Sequence, residues 1–400
     1  MKEKFAERME MGDSKEIDEC MAHIMKLTTM KDVISFAGGL PNKEVFPIEE
    51  MKQVSKKVLE VYGGLALQYS ATEGEKELKE AIANQIMKAS GIEADPDCVM
   101  VTCGSQQALE FSGRVFLNPG DVVICENPSY VGAITAFKSY KPSFAEVKMD
   151  DDGMMMDDLE RVLKENPNTK FIYTVPDFQN PTGKTLPLDR RKKMIELADK
   201  YDVLILEDNP YGNLRFEGEG LPAIKSFDKN DRVIFLGTFS KIFCPGLRIG
   251  WVYADKQALS QYSLVKQSVD LQTNTMAQKE VAMYMKMFDL KANIEKIIDV
   301  YRRKRNLMLK AIEENFPKDC NFTKPNGGLF IWVTLPEYMD ASKVLEKAME
   351  KKVGFVPGIA FYANGGVRNN FRLNFSNTGD DEILTGIEIL GKVLKDYEIN

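Results

Sequence analysis

Short apolar runs alternate with amphipathic stretches through the middle of the chain. The runs have the length of buried strands, and the stretches between them place apolar residues at helical spacing. Strands are predicted at 99–103, 121–126, 170–176, 203–208 and 233–238, with helices at 48–62, 73–90, 105–117, 131–140 and 190–201. Strands that alternate with helices predict an α/β fold, in which a mainly parallel sheet is covered by helices on both faces.

The pattern changes towards the C-terminus. A long helical stretch, 277–314, is broken near Phe288-Asp289, and shorter strands and helices follow it. The strands are predicted in 327–336, 353–358 and 370–377, and the helices in 341–351 and 381–397. We therefore predict a large domain over 48–290 and a smaller α+β domain over 291–400. Residues 1–47 are predicted to form an arm and a helix that join the small domain and the active site.

Polar residues follow the predicted strands at the points where they end. They are grouped as Gly104-Ser105, Asn127–Tyr130, Asp177–Asn180, Asp208–Tyr211 and Thr238–Lys241. Ligands of parallel sheets bind outside the carboxyl ends of the strands, so these groups predict one shared site.

The stretch VIFLGTFSKIFCPGLRIGW, residues 233–251, contains the chemistry that indicates a cofactor. Lys241 lies between two apolar segments, where desolvation lowers a lysine's pKa and frees the amine to attack a carbonyl. The hydroxyls of Thr238 and Ser240 and the guanidinium of Arg248 are suited to a phosphate. An aldehyde that carries a phosphate is pyridoxal phosphate (PLP). The alternative for this stretch alone is a strand, a turn and a lysine that reaches solvent.

Other strand ends offer what PLP requires of a protein. Ser105 begins a helix whose amides and dipole favour an anion, although a serine there also serves as a plain cap. Asp208 ends an apolar run and is suited to the pyridine nitrogen, which it keeps protonated. Asn180 and Tyr211 are suited to the phenolic oxygen, and the ring of Tyr130 is suited to stacking on the cofactor.

Composition excludes several other classes of function. The net charge of −7 argues against a nucleic-acid or membrane-surface role, and no apolar run reaches the roughly 18 residues of a membrane span. Six cysteines without a CxxC pair suggest a reducing cytoplasm, and the charged N-terminus does not suggest a signal peptide. His23 is the only histidine, so a multi-histidine metal site is excluded and no metal is expected.

Three segments together resemble the fold-type I, class I and II PLP-dependent aminotransferases. They are PDFQNPTGKTLP, EDNPYGNLRF and GTFSKIFCPGLRIGW, and their order and spacing are those of the family. FAGGLPNKEVFP, LQYSATEG, TCGSQQAL and FRLNFS extend the match from about Ser35 to the C-terminus. The chain is most similar to the branch that contains the 2-aminoadipate and kynurenine aminotransferases.

The resemblance implies a role for each matching residue. Lys241 resembles the lysine that forms the internal aldimine and shuttles the proton, Asp208 the pyridinium partner, and Asn180 and Tyr211 the phenolic-oxygen donors. The phosphate ligands are implied to be Ser105, Gln106, Ser240, Arg248 and Thr238, with Tyr69 reaching the phosphate of the neighbouring subunit. The resemblance therefore also implies a homodimer in which each active site is shared between two subunits. Arg372 resembles the arginine that grips the substrate α-carboxylate, and Gly39 a backbone contact near the substrate.

The expected reaction is therefore transfer of an amino group from an L-amino acid to a 2-oxo acid such as 2-oxoglutarate. Members that use 2-aminoadipate have an arginine on the N-terminal helix, where this chain has Met21-Ala22-His23-Ile24. We therefore expect aromatic and larger aliphatic donors. The alternatives are 2-aminoadipate transfer, a PLP β-lyase, and the PLP-binding sensor domain of a transcriptional regulator. Such regulators have a basic DNA-binding domain before the PLP-binding domain. Only about 35 residues, without strong basic character, precede FAGGLP here, which argues against the regulator.

Overall fold

The computed structural model describes residues 30 and 32–397, and it contains three sheets. The strands are β1 (Ile34–Ser35), β2 (Val99–Thr102), β3 (Val122–Asn127), β4 (Ser143–Asp150), β5 (Gly153–Met154), β6 (Thr169–Thr174), β7 (Leu204–Asp208), β8 (Val233–Thr238), β9 (Gly250–Tyr253), β10 (Asn321–Phe322), β11 (Phe330–Thr334), β12 (Val353–Gly354), β13 (Val356–Pro357) and β14 (Asn370–Asn374). The predicted N-terminal helix and His23 lie outside the described residues.

The helices follow the predicted pattern closely. They are α1 (Ile48–Tyr62), α2 (Lys76–Ala81), α3 (Ser105–Phe116), α4 (Val131–Lys138), α5 (Met156–Glu165), α6 (Leu188–Tyr201), α7 (Lys256–Val269), α8 (Thr275–Met287), α9 (Leu290–Asn315), α10 (Ala341–Glu350) and α11 (Asp380–Lys395). The helix predicted over 73–90 is shorter and changes into a π-helix at Ile82–Met87. The break between α8 and α9 lies where it was predicted, because Asp289 caps α9 and accepts a hydrogen bond from the Lys291 amide.

The largest sheet has the strand order β2-β9-β8-β7-β6-β3-β4-β5. Strands β8, β7, β6, β3 and β4 pair in parallel, while β9 runs antiparallel between β8 and β2. The prediction of a mainly parallel sheet covered by helices is confirmed. Because β2 consequently runs in the same direction as β8, the carboxyl ends of β2, β3, β6, β7 and β8 lie at one edge.

Side chains of this sheet alternate between two apolar cores. On β6, Phe171 and Tyr173 belong to one core, whereas Ile172 lies in the other. The same alternation on β7 places Leu206 in the first core and Ile205 in the second. The sheet is therefore buried on both faces, as its continuous apolar runs indicate.

The C-terminal part forms a separate antiparallel sheet with the order β10-β11-β14-β13. Strand β1 pairs in parallel with β12, and the Asn374 amide donates to the carbonyl oxygen of Phe36, so residues 34–36 pack against this part. These contacts agree with the predicted architecture of a large and a smaller unit, whose boundaries at 47 and 290 stay predictions. Within residues 30 and 32–397, no helix combines the length and the apolar character needed to cross a membrane.

Gly237 on β8 is required by the ring of its register partner Trp251. A Cβ at Gly237 would lie 2.2 Å from Trp251 Cζ2, and the Trp251 ring is held in turn by Phe239 at 5.3 Å between ring centroids. We predict that Gly237→Ala lowers the free energy of unfolding by about 1–3 kcal/mol, because the core must accommodate an extra methyl group. Urea unfolding of the variant and the wild type measures this difference.

Gly220→Ala is the matched control, since no atom lies within 4 Å of a Cβ placed there. Equal stability of the two variants would contradict the close packing of Trp251 against β8.

Candidate active site

A cavity of about 360 Å³ opens at the edge where the carboxyl ends of the parallel strands meet. It is lined by every predicted site residue except Tyr69, namely Gly39, Ser105, Gln106, Tyr130, Asn180, Asp208, Tyr211, Thr238, Ser240, Lys241, Arg248 and Arg372. These residues come from segments separated by as much as 333 positions, from Gly39 to Arg372. Most of them follow the carboxyl ends of strands in the largest sheet, whereas Gly39 comes from the segment after β1 and Arg372 from β14 of the smaller sheet.

Asp208 is the buried carboxylate of the cavity, with 2% of its surface exposed. Its Oδ2 accepts a hydrogen bond from the Tyr173 hydroxyl at 3.0 Å, whereas its Oδ1 has no hydrogen-bond partner in the described part of the chain. Burial raises the pKa of Asp208 to about 7, and the hydrogen bond from Tyr173 and the charge of Lys241 act in the opposite direction. A hydrogen-bond donor placed at Oδ1 would satisfy the remaining oxygen of this carboxylate and favour its charged form.

Lys241 comes three residues after the end of β8, and its Nζ donates to the carbonyl oxygen of Gly39 at 2.8 Å. Burial, together with the positive charges of Arg372 and Arg248, lowers the pKa of Lys241 to about 8. A lysine of this kind has a larger neutral fraction at neutral pH than an exposed one, and the neutral amine is the nucleophile.

Groups suited to an anion surround the start of α3. Gly104 precedes Ser105 with a φ of 73°, and a Cβ there would lie 2.4 Å from Arg248 Nη2, so glycine leaves room for the guanidinium. Arg248 Nη1 donates to Ser240 Oγ at 3.2 Å, and Thr238 Oγ1 lies 3.0 Å from the same oxygen. Two hydroxyls, one guanidinium and a helix N-terminus thus lie together, which suits a phosphate.

Gln106 and Tyr130 contact each other beside this anion site. The side-chain Nε2 of Gln106 donates to the Gly132 carbonyl oxygen at 2.8 Å, and its side-chain Oε1 accepts from the Tyr130 hydroxyl at 3.3 Å. The Gln106 side chain is therefore engaged in holding Tyr130, which leaves its backbone amide, in the first turn of α3, for an anion.

Arg372 on β14 joins the two parts of the molecule across the cavity. Its Nη1 donates to Asn180 Oδ1 at 2.7 Å and its Nη2 donates to the Ala37 carbonyl oxygen at 2.6 Å. The guanidinium carbon lies 4.2 Å from the ring centroid of Phe330 and 5.0 Å from that of Phe361. Aromatic faces on this cation hold its planar fork in one orientation, which suits recognition of a carboxylate.

Tyr211 and Asn180 form the wall of the cavity between Asp208 and Arg372. Tyr211 is buried and packs edge-on against Phe330, with ring centroids 5.9 Å apart. Burial raises the pKa of Tyr211, while a side-chain hydrogen bond with Asn180 lowers it. The Tyr211 hydroxyl therefore stays protonated at neutral pH and is able to donate.

Tyr69 is the predicted site residue that the chain does not bring to its own cavity. Its side chain is 78% exposed, and it lies beside Gln272 and Thr275 in a surface depression. Its predicted role on a neighbouring subunit therefore stays a prediction.

Sequence reasoning missed several residues at or behind the cavity. Tyr173 contacts Asp208 but lies in the apolar run of β6, where a tyrosine is indistinguishable from a core residue. Phe330 lines the cavity, but the sequence pattern places it in a predicted strand and gives no sign of a role in the site. Leu40 also lines the cavity, and its position next to Gly39 in the FAGGLP segment is the one sequence feature that could have identified it.

The residues present fit PLP. Among the described residues the buried Oδ1 of Asp208 has no hydrogen-bond partner, which matches a protonated ring nitrogen. The Arg248 guanidinium and the hydroxyls of Ser240 and Thr238 match a phosphate. Lys241, with its lowered pKa, lies in the same cavity and is suited to an aldehyde. These three features satisfy the separate requirements of one cofactor.

Comparisons with known proteins agree with this chemistry. The model of the family "aminotransferase class I and II" matches residues 31–390. The chain is 46% identical over 377 residues to aromatic-amino-acid aminotransferase 1 of Thermococcus litoralis, covering 93% of this chain and 90% of that protein.

Solved structures are similar over nearly the whole chain. The kynurenine aminotransferase of Pyrococcus horikoshii, crystallised with pyridoxamine phosphate, superposes with a TM-score of 0.93 at 42% identity, covering 99% of this chain and 98% of that one. The α-aminoadipate aminotransferase of Thermus thermophilus, in complex with a phosphopyridoxyl-leucine adduct, gives a TM-score of 0.90 at 37% identity and covers 98% of both chains. Together with the family match and the cavity, these likenesses establish that the chain belongs to the class I and II aminotransferases and is a PLP-dependent transaminase.

Proposed function

We propose that this transaminase moves an amino group from an aromatic or larger aliphatic L-amino acid to a 2-oxo acid such as 2-oxoglutarate, with Lys241 as the lysine that holds the cofactor. The observation that carries the proposal is the common cavity of Lys241, Asp208 and Arg372. An amine with a lowered pKa, a buried carboxylate and a clamped guanidinium are the groups that this chemistry requires.

Each of these groups has a task that its surroundings support. PLP, when bound, supplies an electron sink for the bond at the substrate's α-carbon. Asp208 Oδ1 would accept the hydrogen bond of the ring nitrogen and keep it protonated. The Nζ of Lys241 would take the proton from the substrate's α-carbon and deliver it to the carbon that was the cofactor's aldehyde carbon, as its lowered pKa allows.

Arg372 would bind the substrate α-carboxylate, since its guanidinium is already held in the cavity by Asn180 and Ala37. Asn180 and Tyr211 would donate to the phenolic oxygen of the cofactor, and Tyr130 would cover the ring face. Carboxylate binding at a fixed arginine orients the substrate without discriminating between side chains, so this contact serves donor and acceptor alike.

The choice of donor is supported by the apolar lining. Leu40, Val131 and Phe330 lie in the cavity, and Asp208 is the only acidic side chain that residues 30 and 32–397 contribute to its lining. Apolar surfaces favour apolar side chains and separate neighbours differing by one methylene by only about 1–3 kcal/mol. The relatives named for aromatic amino acids and kynurenine support this choice, and the relative named for α-aminoadipate supports 2-aminoadipate as the second candidate donor.

We also propose a cytoplasmic homodimer that acts in amino-acid metabolism and biosynthesis. Large apolar side chains are exposed on two neighbouring segments, in Leu59, Val61, Leu65, Leu67 and Tyr69 and in Leu264, Val269 and Leu271. The segments are joined, since the Thr275 hydroxyl donates to the Gln68 carbonyl oxygen at 2.9 Å. An exposed apolar surface of this extent is suited to a second copy of the chain, which would bring Tyr69 to the partner's site.

The attachment site of the cofactor is the first prediction from this proposal. Borohydride reduction of the yellow protein should remove its colour and leave PLP covalently bound to the peptide that contains Lys241. Mass spectrometry of the digest locates the modification. Attachment at a different lysine would rule out Lys241 as the nucleophile.

The second prediction concerns Asp208 and Tyr173. Asp208→Asn should lower turnover by ~100-fold or more, because the ring nitrogen loses its anionic partner. Tyr173→Phe should lower it by only ~3–10-fold, since the carboxylate remains and one hydrogen bond is lost. Steady-state kinetics at saturating PLP measures both, and near-normal turnover of Asp208→Asn would contradict the assignment.

The third prediction concerns the donor. With 2-oxoglutarate as acceptor, kcat/KM should be highest for donors such as phenylalanine, tyrosine, leucine or methionine. A higher value for 2-aminoadipate or aspartate than for every apolar donor would overturn the choice. Release of pyruvate and ammonia without an acceptor would instead indicate a β-lyase, and PLP binding without turnover would indicate a sensor.

The fourth prediction concerns the dimer. Leu67→Asp should shift the mass in sedimentation towards that of one 45.2 kDa chain and weaken PLP retention, because Leu67 is 74% exposed on the proposed interface. Leu384→Asp is the control, since Leu384 is exposed on α11, which contributes nothing to the proposed interface. Tyr69→Phe should weaken PLP retention modestly while the dimer persists. A fully active wild-type monomer would exclude shared sites.

A further inference from the structure

Glu126, at the end of β3, is a buried carboxylate without a cation beside it. It is 3% exposed, and the described part of the chain offers it no ion pair. Its oxygens instead accept from the Thr174 hydroxyl at 2.8 Å, the Gln179 amide at 3.1 Å and the Val175 backbone amide at 3.4 Å. Burial raises the pKa of Glu126 to about 7, whereas these hydrogen bonds lower it and favour the ionised form, so they are the feature to explain.

Gln179 connects Glu126 to two loops of the active site. Its amide nitrogen donates to Glu126 and also to the Pro128 carbonyl oxygen at 2.8 Å. Its side-chain oxygen accepts from the Thr182 amide at 2.9 Å and from the Thr182 hydroxyl at 2.6 Å. One side chain thereby fixes the loop before Tyr130 and the loop that contains Asn180.

The position of Asn180 in the cavity depends on this connection. Asn180 lies between Gln179 and Thr182, whose side chains are hydrogen-bonded to each other behind it. Its Oδ1 accepts from Arg372, which orients the Asn180 amide across the cavity. Glu126 does not line the cavity itself. It contacts the site through Gln179 and, by a longer hydrogen bond of 3.4 Å, through the backbone amide of Val175, which lines the cavity.

We infer that Glu126 is a positioning residue, whose carboxylate holds Asn180 through Gln179 for its contact with the cofactor. The carboxylate suits this task because an ionised carboxylate only accepts hydrogen bonds and each of its partners has a hydrogen to donate. The inference rests on the proposed donation from Asn180 to the phenolic oxygen of PLP.

Exchange of the pair provides the test. Gln179→Glu places two carboxylates against each other and should release the loop. Glu126→Gln combined with Gln179→Glu restores the hydrogen bond between these two positions with donor and acceptor exchanged, while the carboxylate at 179 still accepts from Thr182. It does not restore the bond to the Pro128 carbonyl oxygen, because a carboxylate has no hydrogen to donate there. Glu126→Gln alone is the milder variant, and it keeps the test available where Gln179→Glu does not fold.

The control is Glu207→Gln. Glu207 is also a fully buried carboxylate on the same face of the sheet, and it accepts from the backbone amides of Ile224 and Lys225 at 2.8 Å. It contacts neither active-site loop, so it reports the general cost of neutralising a buried carboxylate.

Two quantities are measured besides turnover: the Kd of apoprotein for PLP by fluorescence titration, and the pH midpoint of the bound cofactor's absorbance change. Asn180→Ala should raise that midpoint by about half a unit or more, because a donor on the phenolic oxygen favours its anionic form. Gln179→Glu should reproduce at least half of this shift, and Glu126→Gln a smaller part. The exchanged pair should return the midpoint only partway towards the wild-type value, since the hydrogen bond to Pro128 stays lost. Glu207→Gln should lower the melting temperature without moving the midpoint.

The outcomes separate the two levels of the account. An unchanged midpoint in Asn180→Ala would overturn the proposed role of Asn180 and the inference with it. A shifted midpoint in Asn180→Ala, with unchanged midpoints and Kd in Gln179→Glu and Glu126→Gln, would overturn the inference alone. A shift in Glu207→Gln as large as that in Gln179→Glu would also overturn it.

Discussion

The site depends on Asp208, the buried carboxylate that shares the cavity with three cations among the residues that the structure describes. Asp208 lies at the carboxyl end of β7, with one oxygen held by Tyr173 and the other without a hydrogen-bond partner, in a cavity that also contains Lys241, Arg248 and Arg372. Burial alone would favour the neutral acid, and the nearby Lys241 and the Tyr173 hydroxyl oppose it. A cofactor with a protonatable ring nitrogen completes this balance, because it brings the missing donor to Oδ1.

The same electrostatics determine the state of the lysine. The two arginines that are suited to phosphate and carboxylate also lower the pKa of Lys241, in addition to its burial. Anionic ligands at Arg248 and Arg372 would reduce this repulsion and so raise the pKa of Lys241 again. Binding of phosphate and substrate would thereby be coupled, through charge, to the protonation of the Lys241 amine.

The sequence predicted the residues that line the cavity better than the buried residues that hold them in place. Apolar runs that end in polar residues identified Asp208, Asn180 and Lys241, because strand ends of a parallel sheet share one edge. Tyr173 and Glu126 were missed, since their partners come from other strands and the pattern of one strand contains no sign of them. Strand β4 was not predicted from the sequence. It lies towards the edge of the sheet and is half exposed, so it lacks the continuous apolar run by which the other strands were identified.

The most direct test of this account is the pKa of Lys241 in the protein without cofactor. The rate at which PLP attaches to Lys241 is measured against pH by borohydride trapping, with Nα-acetyl-lysine as the reference amine. Because only the neutral amine attacks, the rate should rise with pH through a midpoint of about 8, instead of the 10.5 of an ordinary lysine. A midpoint that coincides with that of the reference amine would contradict the claim that burial and the two arginines activate Lys241.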